Sequence, residues 1–309
     1  MSYLIGSFNT YKMGEQTVQQ RLKDWKLIAR IINNSNIDIV ALQEIFSEKP
    51  VAELQRYMNF YGCKWDYRFA QKETVRNERE GYAFLWNTKR ISLLRDSDRI
   101  FEPHIEAKWS RSLIRPPFVG RFMPVGFNTP FIEIRIINTH IVYSKDRYME
   151  RNENDWTSLE LRKNEYRKLS KAVFPQIAHE RFGVFRDAYT LITGDYNLCL
   201  QHCLNIDAEP SDERISISSR QHEKTTLSKL QADLPHLDPY SNDYDHFSFS
   251  EHESPYVHQT ARIDAPRNFC GGNFDYYRQN ISDHVPIILH LDVKNSLAGD
   301  TACLNFYQR

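Results

Sequence analysis

Asp283 and His284 lie side by side near the C-terminus, within residues 280–287, and both side chains can take part in acid–base or metal chemistry. Other polar residues end apolar, strand-like runs elsewhere in the chain: Asn9, Glu44, His140, and the pair Asp195 and Asn197. A polar residue that ends a buried strand points into the same rim as its neighbours. Carboxylates, amides and imidazoles gathered at one rim are the groups needed for metal-assisted cleavage of a phosphodiester.

Attack on a phosphodiester places negative charge on the phosphoryl oxygens and on the leaving alkoxide, and a hard cation stabilises that charge. Mg²⁺ keeps several waters and needs only one or two protein carboxylates. We therefore predict Asn9, Glu44 and Asp283 as the oxygen ligands of Mg²⁺, with Mn²⁺ as a possible substitute and Ca²⁺ left open. Asp195 and Asn197 are predicted to position the attacking water, touch the phosphate or hold a second ion.

His140 and His284 are the predicted proton-transfer groups, because imidazole titrates near neutral pH. His140 follows the apolar run in residues 131–139, and His284 directly precedes the apolar run in residues 285–293. Seven other histidines have no comparable setting and are interpreted as surface or loop residues: His104, His179, His202, His222, His236, His252 and His258.

The apolar patterns along the chain predict alternating strands and helices. Strands are predicted at residues 3–9, 37–42, 82–86, 91–94, 118–124, 131–139, 189–193, 247–249 and 285–293, and helices at 16–34, 50–61 and 144–182. The strands at 82–86 and 91–94 are expected to pair, as are those at 118–124 and 131–139. This order predicts one α/β domain over residues 1–309 with a mixed or antiparallel sheet system.

Four segments are expected to lie outside this framework. The charged segment from about 144 to 182 is interpreted as a solvated helical insertion, whose use by a protein partner or a substrate is left open. Residues 201–243 are expected to form loop and short helix, and residues 250–280 a long rim loop. The tail from about residue 295 is expected to be peripheral.

Composition excludes several classes of protein. The 40 basic and 40 acidic residues cancel, so any polyanion must bind to local patches rather than to the whole surface. The five cysteines include no C-x-x-C pair, which argues against a zinc site. Neither a signal sequence nor an apolar run of about 20 residues is present, so a cytoplasmic protein without a membrane span is expected.

In their order and register these motifs resemble the endonuclease/exonuclease/phosphatase superfamily, and within it they are most similar to the deoxyribonuclease I group. The resemblance runs from about Ser7 to Leu291. It also rests on Glu80 two residues before Tyr82, on Arg115 before two prolines, and on Asp245 in a Tyr-Asp element. The fold that it implies is a four-layer α/β/β/α sandwich, with two packed mixed β-sheets flanked by helices.

The resemblance also implies partners for the two histidines. His140 would pair with Glu80 and His284 with Asp245, and each carboxylate would fix the tautomer of its imidazole. We expect His284 to activate water and His140 to protonate the leaving oxygen, with exchange of these two roles left open. Asp275 competes with Asp245, but only eight residues separate it from Asp283, too few for a strand, a connection and a return strand.

The activity that the resemblance implies is Mg²⁺-dependent hydrolysis of DNA, with Arg115 and Asn197 binding the substrate phosphate. Two positions depart from the deoxyribonuclease pattern. Phe46 stands where that group has an arginine in the minor groove, and Glu78 stands where it has a tyrosine stacked on a deoxyribose. Nearby arginines could supply contacts to the DNA backbone in place of these two residues; they are Arg76, Arg79 and Arg111.

Two other functions remain open at this level. The same chemistry would serve a phosphoinositide phosphatase or a sphingomyelin phosphodiesterase, whose rim loops would differ. A catalytically inactive binding module of the same fold is the third alternative.

Overall fold

Two β-sheets pack face to face, and helices cover the outer face of each sheet. The structure is a computed structural model that describes residues 1–15, 23–60, 62, 64–71, 80–96, 99–110, 112–126, 132–143, 158–180, 187–210, 217–220, 223–228 and 238–293. The four layers run helix, sheet, sheet, helix. They confirm the α/β/β/α sandwich expected from the motifs.

The described strands are β1 (Ser2–Met13), β2 (Ile39–Ile45), β3 (Trp65–Gln71), β4 (Gly81–Asn87), β5 (Ile91–Leu93), β6 (Arg95–Asp96), β7 (Arg99–Ile100), β8 (His104–Ile105), β9 (Phe118–Pro124), β10 (Ile132–His140), β11 (Asp187–Asp195), β12 (Ile217–Arg220), β13 (Asp245–Ser250), β14 (Val257–Arg262) and β15 (Ile287–Asp292). The helices are α1 (Trp25–Asn34), α2 (Glu48–Phe60), α3 (Ser158–Lys168), α4 (Phe174–His179), α5 (Leu200–Asp207), α6 (Ala265–Cys270) and α7 (Phe274–Asn280). A π-helical turn at Leu169–Val173 joins α3 to α4.

Both large sheets are mixed. The first has the strand order β14-β15-β1-β2-β4-β3, and its parallel pair is β1 with β2. The second has the order β12-β13-β11-β10-β9-β5, and its parallel pair is β10 with β11. The carboxyl ends of these two parallel pairs supply several of the predicted site residues.

Alternation along single strands builds the layers. In β2, Ile39 and Ala41 face the core between the sheets, whereas Val40 and Leu42 pack under the helices of the first sheet. Successive side chains of a strand point to opposite faces, so a nearly continuous apolar run is what a strand buried on both sides requires. The described core between the sheets also contains stacked aromatic rings, with the centroids of Phe84 and Phe118 4.9 Å apart.

The expected pairing of residues 82–86 with 91–94 is wrong. Strand β4 pairs with β2 and β3 in the first sheet, whereas β5 pairs with β9 in the second. The chain crosses between the sheets within the few residues from Asn87 to Ile91. Two apolar runs around a turn signal predict strands, but they do not encode which sheet each strand joins.

The expectation of a long rim loop over 250–280 is also wrong, because this segment contains β14, α6 and α7. Most residues of β14 lie at least partly exposed at a sheet edge, so they show little of the apolar alternation that reveals a strand. The two helices are short, and the side chains of Asp264 and Asn273 cap their N-termini. Residues 201–243 likewise contain strand β12 besides the expected short helix.

The first helix, the cysteines, the absence of a membrane span and the C-terminal tail were also subjects of sequence-based expectations. Within the described residues the predicted helix 16–34 begins at Trp25, capped by Asp24, and residues 16–22 lie outside the described ranges. The described cysteines Cys199, Cys203 and Cys270 are unpaired. None of the helices in the described ranges is long and apolar enough to cross a membrane. The tail from about residue 295 lies outside these ranges.

A buried ion cluster fastens α4 to the second sheet. Glu133 has no exposed surface, and its Oε1 accepts hydrogen bonds from Arg121 Nε at 2.5 Å and from Arg135 Nε at 2.8 Å. Arg135 also donates to the carbonyl oxygens of Ile177 and Ala178 at 2.5 and 3.0 Å. These carbonyls lie in the last turn of a helix, where intrahelical donors run out. The Glu133 carboxylate therefore balances two buried guanidinium groups.

Glu133→Gln should lower the free energy of unfolding by about 3–5 kcal/mol, because it removes the buried carboxylate that Arg121 and Arg135 share and leaves Arg121 only the more distant Glu180, at 3.7 Å. Glu102→Gln is the matched control, since Glu102 pairs with Arg68 on the surface and should cost less than about 1 kcal/mol. Urea unfolding of both variants measures the difference. Equal losses would contradict a special role for the buried cluster.

Candidate active site

Strand register aligns three of the predicted site residues across the second sheet. His140 at the end of β10 pairs with Asp195 at the end of β11. Asp195 in turn pairs with Asp245 at the start of β13. Residues far apart in sequence are thus neighbours because each strand ends or begins at the same edge of the sheet.

The first sheet contributes Asn9 from β1 and Glu44 from β2. The Asn9 amide nitrogen donates to Glu44 Oε1 and to Asp195 Oδ2, both at 3.0 Å, so Asn9 links the two sheets across the site. Its amide oxygen accepts the Tyr11 N–H at 2.9 Å. In this arrangement Asn9 presents its nitrogen to the two acids, while Glu44 presents carboxylate oxygens.

Three site residues have backbone conformations in the left-handed region. Glu44 has φ +58°, Asn197 has φ +50° and Gly194 has φ +145°. A Cβ on Gly194 would lie 1.8 Å from the carbonyl oxygen of Thr139, so only glycine fits between β10 and β11 here. Such conformations persist where surrounding hydrogen bonds hold them, and they cluster at functional sites.

His140 and Glu80 form the first imidazole–carboxylate pair. His140 Nδ1 donates to Glu80 Oε1 at 2.5 Å, and Arg115 lies 2.6 Å from Glu80 Oε2. The hydroxyl of Tyr82 accepts the backbone N–H of His140. Burial alone would lower the pKa of His140, but the charge and hydrogen bond of Glu80 outweigh it and raise the pKa. Burial opposes ionisation of Glu80, yet His140 and Arg115 hold its pKa below the ordinary value.

His284 and Asp245 form the second pair. His284 Nδ1 donates to Asp245 Oδ2 at 2.7 Å, whereas Asp275 lies in the first turn of α7. The Ser282 hydroxyl donates to the carbonyl oxygen of Asn9 and accepts the His284 N–H, which orients the residue against β1. Burial would lower the pKa of His284, but the charges of Asp245 and Asp195 raise it well above the ordinary value.

The acidic residues around Glu44 fit a hard divalent cation. Burial raises the pKa of Glu44, and the negative charges of Glu80 and Asp283 raise it further, against the opposing effect of His140. Among the described residues, the buried Oδ1 of Asp283 has no hydrogen-bond partner. Carboxylate oxygens in this setting are Mg²⁺ ligands by type, and a cation would relieve their mutual repulsion.

A second group that could hold an ion consists of Asp195, Asp245 and His284. One ligand atom from each lies within 4.8 Å of the others, and all three residues are buried. Asp195 Oδ1 also accepts the Asn197 N–H, and the Asn197 side chain donates to the carbonyl oxygen of Ile141. Asn197 therefore lies at the site with its amide near His140 Nε2, at 3.4 Å.

Sequence reasoning missed some groups that support the site. Ser282 lies within residues 280–287, directly before Asp283, and this position in the sequence could have identified it as a neighbour of the site. Arg162 of α3 donates to the backbone carbonyl of Asn197 at 2.5 Å, and no sequence signal separated it from the other charges of its helix. Of the rim positions, Phe46 is partly buried, whereas Glu78, Arg76, Arg79 and Arg111 lie outside the described residues.

No protein-family model and no curated protein matches this sequence. Solved structures do match its fold. D. rerio TDP2 complexed with a single-strand DNA product has a TM-score of 0.59 at 15% identity, over 94% of this chain and 99% of that chain. An endonuclease/exonuclease/phosphatase from Bacteroides vulgatus has a TM-score of 0.59 at 12% identity, over 95% and 100%.

A mannosyl-6-phosphatase from Bacteroides thetaiotaomicron has a TM-score of 0.55 at 14% identity, over 94% of this chain and 100% of that chain. At such identities the likeness establishes the fold rather than the substrate. This chain has the fold of the endonuclease/exonuclease/phosphatase superfamily, as its motifs predicted.

Gly194→Ala should lower the free energy of unfolding by more than about 3 kcal/mol, because the new Cβ would meet the Thr139 carbonyl between the two central strands. Gly271→Ala is the control. Gly271 also has a positive φ, +60°, but a Cβ there meets no atom within 4 Å, so we expect a cost of about 1–2 kcal/mol. Thermal or urea unfolding compares the two, and similar costs would contradict the clash.

Proposed function

We propose that this protein is a Mg²⁺-dependent phosphodiesterase that hydrolyses the backbone of DNA. One observation carries the proposal: His140 Nε2 and His284 Nε2 each lie 3.6 Å from the same oxygen, Asp195 Oδ2. Two imidazoles with their own carboxylates thus converge on one point. Hydrolysis needs one group to accept a proton and another to donate one, and this geometry offers both.

The proposed roles follow from these contacts. His284, held by Asp245, takes the proton from the attacking water, while His140, held by Glu80, gives a proton to the leaving oxygen. Asp195 lies between the two imidazoles and is placed to orient that water. The exchange of roles between His140 and His284 is the alternative.

Glu44 and Asp283 would hold the metal ion, and Asn9 would join them if its amide turned to present oxygen. The ion would supply positive charge to the phosphoryl oxygens and the leaving alkoxide. Arg115 and Asn197 would bind the phosphate. Arg115 also forms an ion pair with Glu80, the carboxylate that orients His140. Its guanidinium would therefore link phosphate binding to the orientation of His140.

DNA is proposed as the substrate on two grounds. The Arg115-Pro-Pro-Phe element resembles the deoxyribonuclease group, and a structural relative of this chain was solved with a single-strand DNA product. A phosphomonoesterase of sugar or lipid head groups is the second candidate, favoured by Phe46 in place of the groove arginine and by the relative that is a mannosyl-6-phosphatase. An inactive binding module is disfavoured, because the predicted catalytic groups occupy one cluster.

A side-by-side assay tests this assignment. Purified protein with Mg²⁺ is given plasmid, single-stranded DNA, RNA and phosphoinositides at equal phosphate concentrations. We expect cleavage of DNA. Release of inorganic phosphate from the lipid, without cleavage of nucleic acid, would replace the proposal with the second candidate.

Glu44→Gln should remove most activity and weaken Mn²⁺ binding by more than about tenfold, because it takes a formal charge from the cation site. Mn²⁺ titration followed by electron paramagnetic resonance gives a readout independent of turnover. Glu48→Gln, on the exposed first turn of α2, is the control and should bind and react like the parent protein. Full activity in EDTA or unchanged Mn²⁺ binding by Glu44→Gln would refute the metal assignment.

His140→Ala and His284→Ala should each lower turnover by at least about 100-fold, the usual scale for a general acid or base. A substrate with nitrophenolate as leaving group needs no proton donor, so it should rescue His140→Ala but not His284→Ala. Glu80→Gln should show the same pattern as His140→Ala, with a smaller loss of turnover. Rescue of only His284→Ala would exchange the two roles, and equal rescue of both would reject any division between them.

A further inference from the structure

Arg162 connects the helical segment between His140 and Asp195 to the site. Besides its bond to the carbonyl oxygen of Asn197, its Nε donates to the carbonyl oxygen of Ser158 at 3.0 Å, one turn earlier in α3. The guanidinium is therefore fixed at both ends. Because Asn197 has a left-handed backbone, a hydrogen bond to its carbonyl helps to hold that conformation.

Two tyrosines flank this guanidinium. The Arg162 Cζ lies 4.8 Å from the centre of the Tyr143 ring. Burial raises the pKa of the nearby Tyr244 hydroxyl, and the charge of Arg162 opposes that rise. Tyr143 follows His140 by three residues, and Tyr244 directly precedes Asp245. Tyr143 is 44% exposed, one of the few large apolar or aromatic side chains of the described surface with so much open area. An aromatic surface backed by a fixed cation thus borders the catalytic groups.

We propose that Tyr143, backed by Arg162 and Tyr244, is a stacking platform for an unpaired nucleobase beside the scissile phosphate. The proposal rests on the function proposed above and narrows its substrate to nucleic acid with an unstacked base, as in a single strand. A base within a duplex has both faces covered by its neighbours, so it cannot lie on a protein ring without leaving the stack.

The physical basis is the contact between a base and an aromatic face, which is tolerant of sequence because every base has a π-face. The stack of Arg162 on Tyr143 restrains the ring before substrate arrives, which lowers the conformational cost of binding. The fixed positive charge also favours a phosphate nearby. Inositol and hexose head groups lack a π-face, so this surface distinguishes nucleotides from the second candidate substrate.

The test uses single-stranded oligonucleotides with one cleavable phosphodiester, every other linkage being an uncharged methylphosphonate. In two further substrates the base is missing from the nucleotide on the 5′ or the 3′ side of that bond. The parent protein should cleave the complete single strand faster than the same sequence in a duplex. Loss of the base on one side should raise KM by about 5- to 100-fold, the scale of one stacked base.

Tyr143→Ala should raise KM by a similar factor on the complete strand and have no effect on the substrate that lacks the stacked base. Tyr143→Phe should keep most of the affinity. Phe60→Ala, which removes an 84% exposed ring at the end of α2, is the control and should change neither kcat nor KM. Arg162→Met should lower kcat as well, because it releases Asn197.

Preference for the duplex, or a loss of affinity in Tyr143→Ala that persists on each of the two substrates with a missing base, would overturn the platform while leaving the hydrolase function standing. Failure of the parent protein to cleave any of these phosphodiesters would instead reject the proposed function itself. Circular dichroism of each variant separates these results from misfolding.

Discussion

The structure of the site depends on keeping several carboxylates buried close together. Glu80, Asp195 and Asp245 are nearly inaccessible to solvent, and Glu44 lies beside them. Buried charges without partners cost several kcal/mol each, so the fold must bring a donor or a cation to every one of them. The two histidines, Arg115 and the Asn9 amide are those donors, and the remaining negative charge around Glu44 and Asp283 is suited to a metal ion.

The same requirement ties the two sheets together. Asn9 reaches from the first sheet to Asp195 of the second, and deeper between the sheets Gln43 donates to the Asn138 side chain at 2.7 Å. Buried hydrogen bonds of this kind have narrow geometric limits, unlike apolar contacts. They therefore fix how the sheets are aligned, and with that alignment the distance between the groups that each sheet brings to the site.

Helix α3 shows how a segment outside the two sheets can contact the candidate site. Its buried residues, such as Tyr166, pack against the outer face of the second sheet. That packing places Arg162 against the backbone of Asn197 and beneath Tyr143. A segment that the sequence marks as a charged helical insertion thus contacts the candidate site through Arg162.

The sequence by itself determined the strands that end in polar residues, their place in one α/β domain and the chemical types gathered at the rim, whereas the two-sheet sandwich was implied by the resemblance of its motifs to a known superfamily. It did so because burial on both faces leaves a continuous apolar run, and because such a strand must end where a polar group can find a partner. The spacing along the chain also favoured Asp245 over Asp275 as the neighbour of His284, and the hydrogen bond between Asp245 and His284 agrees with it.

The expected pairing of 118–124 with 131–139 is confirmed as β9 with β10, but only the tertiary structure decided that β4 and β5 join different sheets and how the edge segment β14–α7 folds. It also decided that Asn9 turns its nitrogen toward two acids and that Arg162 enters the site. These outcomes depend on contacts between residues distant in sequence, and local periodicity carries no information about such contacts. The local sequence of an edge strand, or around a surface arginine, is the same whether the side chains face water or a neighbouring element. Only the elements packed against them decide which of the two occurs.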